Sequence, residues 1–165
     1  KAHADGTAGY LLSDSSNVEN LLYRRITSSS KSRFTGWVDK TSYSEYLTPE
    51  GEGWPTETWI HHAIVIDEED QYVALYINGD LKELRLFEVG ALFDWEGLTS
   101  DLYLGNRADK ARDYKGWLDE VQVYDFALDA AQVDFLAKNP GTVVPEPAIL
   151  SLLMVFGAFA LARRP

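Results

Sequence analysis

The sequence predicts an all-β fold, an antiparallel sandwich with one short helix near its C-terminal end. Three observations carry this. Short apolar runs bounded by Ser, Asp, Asn and Gly recur along the chain. Asn78-Gly79 separates two strand-like runs, and this dipeptide tolerates positive φ at both positions, the strongest short hairpin signal. Asp129 stands three residues before Gln132, a capping box opening a helix.

Taken in order, Tyr10-Leu11-Leu12, Leu21-Leu22-Tyr23 and Phe34-Thr35-Gly36-Trp37-Val38 each read as a strand flanked by turn residues. Pro49 to Pro55 reads as a loop, because its prolines and glycines cannot sit in a regular ladder. Trp59 to Ile66 is apolar and β-branched and stops at Asp67-Glu68-Glu69-Asp70. Gln71 to Ile77 leads into the Asn78-Gly79 turn. Asp80 to Leu86 alternates with period 2, as a half-buried return strand should. Leu102 to Gly105 is a further short strand. Trp117 to Tyr124 reads as another, with strict alternation from Glu120, where Val121 and Val123 face one way and Gln122 the other. A helix is expected over residues 130–138, ended by Asn139-Pro140-Gly141.

The chain has 165 residues, 45% of them hydrophobic and 13% aromatic, enough for one domain plus an appendage. Its net charge of −11 repels phosphate backbones, which argues against nucleic acid as a partner and is compatible with neutral sugars or cations. Absence of cysteine excludes disulfides, zinc–thiolate sites and thiol nucleophiles. The chain starts at Lys1 without a basic, apolar export signal, and so reads as a fragment or mature chain whose upstream part is missing.

The last residues differ in kind. Val144-Pro145-Glu146-Pro147 precedes an uncharged apolar run over residues 148–162, and Arg163-Arg164-Pro165 follows. As a helix the run would reach about 22 Å, short of a hydrocarbon core of roughly 30 Å unless arginines snorkel and the bilayer thins. Terminal arginines place the C-terminus in the cytoplasm and the body outside. The organisation expected is a domain over 1–140, a linker over 141–147, a membrane helix over 148–162 and a basic end over 163–165.

The order Pro-Glu-Pro, apolar helix, basic end resembles the PEP-CTERM sorting signal of Gram-negative bacteria. The resemblance implies recognition by an exosortase, with Pro145, Glu146, Pro147, Arg163 and Arg164 as the sorting and processing residues. It also implies transient anchoring in the inner membrane, then release to the surface or the extracellular matrix. The basic end has only two arginines, lean for that family.

The body carries a second resemblance. Trp59-Ile60-His61-His62-Ala63-Ile64-Val65-Ile66-Asp67, then Val73 to Leu81 with its Asn78-Gly79 hairpin, then Leu102 to Asn106, then Gly116 to Asp125, is similar in order to the LamG-like, concanavalin A-like jelly roll. Phe126-Ala127-Leu128-Asp129 looks like that family's segment before the terminal helix. The likeness covers residues 59–136 and implies an antiparallel jelly-roll sandwich, with its first strands missing.

Candidate chemistry is sparse. His61 and His62 are adjacent, point to opposite faces of a strand, and cannot chelate one metal together. A retaining glycosidase needs two carboxylates about 5 Å apart. Jelly-roll glucanases set theirs on one strand as Glu-x-Asp-x-x-Glu, a pattern this chain lacks; Asp119 and Glu120 are consecutive, face opposite ways and read as a loop-fixing pair. Calcium takes oxygen ligands from loops, and Asn106, Asp109 and Asp113 lie in one loop. Pentraxins, which are related calcium-binding jelly rolls, draw ligands from the equivalent loop. Arg107, Lys110 and Arg112 oppose a cation there, and the alternative is a turn held by Asp–Arg pairs. Trp37, Tyr43, Tyr46 and Trp54 fall in polar, loop-like surroundings and are candidates for stacking on sugar rings, or for plugging the end of the sandwich.

The expectation is an exported, non-enzymatic surface or matrix module that binds glycans or matrix polymer. The alternatives are a structural matrix protein without a specific ligand and a glycoside hydrolase accessory domain.

Overall fold

A computed structural model describes residues 9–14, 21–26, 31–38, 41–46, 57–86, 101–106 and 113–145. Eight strands and one helix lie among them: β1 (Gly9–Asp14), β2 (Leu21–Ile26), β3 (Lys31–Val38), β4 (Thr41–Tyr46), β5 (His62–Asp67), β6 (Tyr72–Ile77), β7 (Asp80–Leu86), β8 (Leu102–Leu104) and α1 (Ala130–Lys138). They form two antiparallel sheets, one of order β4-β3-β2-β1-β8 and one of order β5-β6-β7. The chain is mostly β with one short helix, as expected.

The hairpins form where the turn chemistry places them. Asn78 (φ +52) and Gly79 (φ +88) make the left-handed pair between β6 and β7. At the other end of β6, Asp67 Oδ1 accepts from the backbone N–H groups of Glu69 and Asp70, each at 2.9 Å. This is the local side-chain turn that Asp favours. The Gln71 side-chain amide bonds the Glu68 carbonyl and closes the turn.

β6 lies at the centre of its sheet and is covered on both faces. Val73, Ala74, Leu75 and Tyr76 are all buried. In the ladder Val65 stands opposite Ala74 and Ala63 opposite Tyr76, so these four share a face. On it pack Val133 and Leu136 of α1, Leu128 before the helix and Val144 after it, with Tyr124 and Phe126 at the margin. Each such aliphatic side chain contributes roughly 1.5–3 kcal/mol by leaving water.

α1 is fastened at both ends. Asp129 Oδ1 accepts from Gln132 N, and Gln132 Oε1 accepts from Asp129 N, both at 2.8 Å. Asn139 closes the C-terminus, its N–H donating to the Phe135 and Leu136 carbonyls.

Three expectations need correction. Residues 117–124 form no strand, because Glu120 sits at φ +51 and breaks the extended run. β5 starts at His62, not Trp59. β7 is not a simple period-2 strand: a bulge at Lys82 restores Leu81, Leu84 and Leu86 to one face, opposite Tyr76, Ala74 and Tyr72. That face is not half-buried on β7, and Leu86 remains 71% exposed.

Candidate functional site

The aromatic candidates occupy strands rather than loops. Trp37 lies in β3, and Tyr43 and Tyr46 in β4. Trp37 stands opposite Ser42 and Tyr43 opposite Gly36, so the two hold register positions of opposite parity, while Trp37 and Tyr46 share one. Trp54 lies outside the described residues. Two further tryptophans, Trp59 and Trp117, are 60% and 53% exposed. Sequence reading assigned both to strands; their positions at the ends of apolar runs were the available signal.

The loop expected to hold calcium is pinched at its base. Tyr114 N donates to Gly105 O at 2.8 Å, which sets Asn106 and Asp113 on either side of the closure. Gly105, at φ +73, turns the chain out of β8. The loop is tied to β1 as well: Gly105 N donates to Leu11 O at 3.0 Å, and the fully buried Ser13 donates its hydroxyl to the Asn106 carbonyl at 2.9 Å. That carbonyl is thus engaged by Ser13. Asp109 lies outside the described residues, and among those described no group of three or more His, Asp or Glu could hold a metal ion.

His61 and His62 separate as expected from adjacent positions. His62 opens β5 opposite Ile77. His61 precedes the strand, its Nδ1 is buried without a hydrogen-bond partner, and burial lowers its pKa below the usual histidine value.

Sequence reading missed a set of polar side chains at Glu120, Gln122 and Tyr124. They stand at alternate positions in the sequence and bond residues 141–144. Gly141 N donates to Glu120 Oε2 at 2.7 Å, Gln122 Nε2 to Thr142 O at 2.6 Å, and Val144 N to the Tyr124 hydroxyl at 3.0 Å. The Tyr124 hydroxyl donates in turn to Gln122 Oε1 at 2.6 Å. Val121 and Val123, of opposite parity, are exposed. Glu120 and Gln122 are themselves exposed and only Tyr124 is half-buried, so these bonds lie at the surface. Asp119 accepts from Glu120 N at 2.9 Å, so this acidic pair is spent on backbone bonds.

Of the sorting residues, Pro145 is exposed and directly follows the buried Val144. Glu146, Pro147, the apolar run 148–162, Arg163 and Arg164 lie outside the described residues. Among the described residues no helix is long and apolar enough to cross a membrane.

The chain is similar to the native heptameric SAP-like pentraxin from Limulus polyphemus, at 18% identity and a TM-score of 0.59, over 88% of this chain and 69% of that one. It also resembles an S-layer domain-containing protein (residues 221–444) from Clostridium thermocellum, at 19% identity and a TM-score of 0.41, over 80% of this chain and 64% of that one. No curated protein matches. The profile of the laminin G-type family described as the concanavalin A-like lectin/glucanases superfamily matches residues 2–134, well beyond the region where the sequence resemblance was read. With two antiparallel sheets and the short terminal helix in place, the chain belongs to the concanavalin A-like lectin/glucanases superfamily.

Proposed function

We propose that the chain is an exported surface or matrix module that binds glycan or matrix polymer and performs no hydrolysis. Membership in a lectin/glucanase superfamily is the observation that carries the binding half. The second half is supported by the fate of the carboxylates. Glu120 and Asp119 accept backbone N–H groups, and Asp67 is committed to its own turn. None of these is paired across about 5 Å of open face as acid and nucleophile. Exposed Trp59 and Trp117 offer rings for sugar stacking, which buries apolar area at small entropic cost.

The tail supplies the address in this proposal. Pro145-Glu146-Pro147, the apolar run and Arg163-Arg164 act as a sorting signal read by an exosortase, which cuts near Pro145 and releases the body to the surface or matrix.

The test is retention on extracellular polysaccharide, measured for the wild type and for Trp59→Ala, Trp117→Ala and Trp37→Ala. Weakened retention at unchanged melting temperature supports binding through that ring. Retention by none of the proteins, on a broad polysaccharide panel, favours a structural matrix protein. Release of reducing sugar would reject the non-enzymatic reading.

A further inference from the structure

The β6–β7 turn carries a reactive dipeptide. An asparagine followed by glycine is the arrangement most open to attack by its own backbone, because a glycine nitrogen has no side chain beside it to block the approach. Asn78 is the asparagine of this chain with that neighbour; Asn17, Asn20, Asn106 and Asn139 precede Val18, Leu21, Arg107 and Pro140. Asn78 is exposed, so water reaches it. Yet the turn holds it back from the reaction. Its Oδ1 accepts from the His61 N–H at 3.0 Å and its own N–H donates to the His61 carbonyl at 2.9 Å, which fixes the carboxamide beside the start of β5. It sits in the left-handed region at φ +52. There ψ is typically about +47°, far from the ψ that a five-membered imide ring imposes. Gly79 lies against α1, so closely that a Cβ there would come 3.1 Å from Asp134 Cα, and its peptide plane has little room to swing toward the side chain.

We propose that Asn78 is a site of spontaneous deamidation and that its two bonds to the His61 backbone suppress the reaction while this end of the hairpin is closed. The chemistry needs only water. The Gly79 nitrogen attacks Asn78 Cγ and forms a new N–Cγ bond. The Cγ–Nδ2 bond breaks, and Nδ2 leaves as ammonia with the proton from the Gly79 N–H. Water then opens the succinimide ring at one of its two carbonyls. Opening at Cγ restores the peptide and leaves aspartate, which keeps an oxygen for the His61 N–H. Opening at the main-chain carbonyl leaves isoaspartate, which routes the backbone through Cγ. That extra carbon lengthens the link between Ile77 and Asp80, which are paired across the turn. Because the ring can close only after the His61 bonds part, the modification records how often this end of the sheet opens.

The decisive experiment is incubation of the full chain at mildly alkaline pH, folded and in urea. Peptide mapping by mass spectrometry reads the amide-to-acid mass gain, and enzymatic methylation reads isoaspartate. In urea, Asn78 should react before every other asparagine, and Gly79→Ala should slow it, since a Cβ shields the nitrogen. In the fold the same peptide should react at least roughly tenfold more slowly, the factor carried by about 1.4 kcal/mol. His61→Pro removes the N–H that holds Oδ1 and should speed the reaction of the folded protein, while slow amide exchange of β6 shows that the sheet persists. In the wild type the Asn78 N–H should be protected from exchange by the same factor as the deamidation, a measure that depends on no variant folding. Equal rates in the fold and in urea overturn the proposal, as does another asparagine reacting first in urea. So does an Asn78 N–H that exchanges freely, or a His61→Pro protein that keeps slow β6 exchange and reacts no faster than wild type.

Discussion

Asn78 holds the backbone of His61 from both sides. Its N–H donates to the His61 carbonyl at 2.9 Å, and its Oδ1 accepts from the His61 N–H at 3.0 Å. One residue thus serves as the left-handed first position of the β6–β7 turn and extends the β5–β6 ladder one step past His62. Asn78→Ala should lose about 1–2 kcal/mol, from one side-chain hydrogen bond and a positive φ that Ala tolerates poorly. Asn78→Asp keeps the acceptor and should lose less. Equal chemical denaturation midpoints for wild type and Asn78→Ala would remove this role.

Gly79 is constrained twice. It sits at φ +88, and a Cβ there would lie 2.8 Å from Asp134 Oδ1 and 3.1 Å from Asp134 Cα. The Asp134 carboxylate can swing away, though at the expense of its 2.7 Å bond to Lys138; the helix backbone cannot. Gly79→Val should therefore destabilise by more than the backbone term of about 1–2 kcal/mol alone, and Gly79→Ala by less than Gly79→Val. Thermal unfolding decides this, and a Gly79→Val protein melting with the wild type would refute the hairpin–helix contact.

The half-buried His61 imidazole gives a pH signature. Its pKa is lowered in the fold by burial, so the unfolded chain binds the proton more readily. The stability it confers is present above the unfolded value of 6.5 and is lost as pH falls through the lower folded value. Subtracting the stability–pH curve of His61→Gln from that of wild type should leave a difference that declines on acidification below about pH 6.5. A flat difference curve would contradict it.

The helix cap should behave as an independent unit. Asp129→Ala removes the acceptor for Gln132 N and should cost about 1 kcal/mol, whereas Val133→Ala opens the fully buried seat on β6 and should cost about 1–3 kcal/mol. Urea midpoints rank the two, and a larger loss at Asp129 would mean that the cap has a further role.

What was legible in the sequence follows from how local the determining physics is. The Asn78-Gly79 turn and the Asp129–Gln132 box each depend on residues within four positions, and both formed as read. β4 was not seen, because Thr41-Ser42-Tyr43-Ser44-Glu45-Tyr46 mixes small hydroxyls with tyrosine and lacks the branched apolar run that marks a strand; pairing with β3 supplies what propensity does not. The bonds from Glu120, Gln122 and Tyr124 to residues 141–144 were invisible for the opposite reason. Their partners are remote in sequence, and nothing local to residues 120–124 points to them. Residue type suggested a shared function for Trp37, Tyr43 and Tyr46, and only register shows that they fall on two parities. Resemblance, by contrast, gave the superfamily that the family profile also matches.

The burial of Val144 against Val65 and Ala74 has a consequence for the order of assembly. A chain that emerges N-terminus first from a ribosome can pair β5, β6 and β7 as soon as they are out, because those contacts are near neighbours. The outer face of that sheet stays wet until α1 arrives and is sealed only when Val144 has cleared the exit. Completion of this core is therefore among the last events of the body's biogenesis, and any factor that retains residues 144 onward also holds the sheet unfinished.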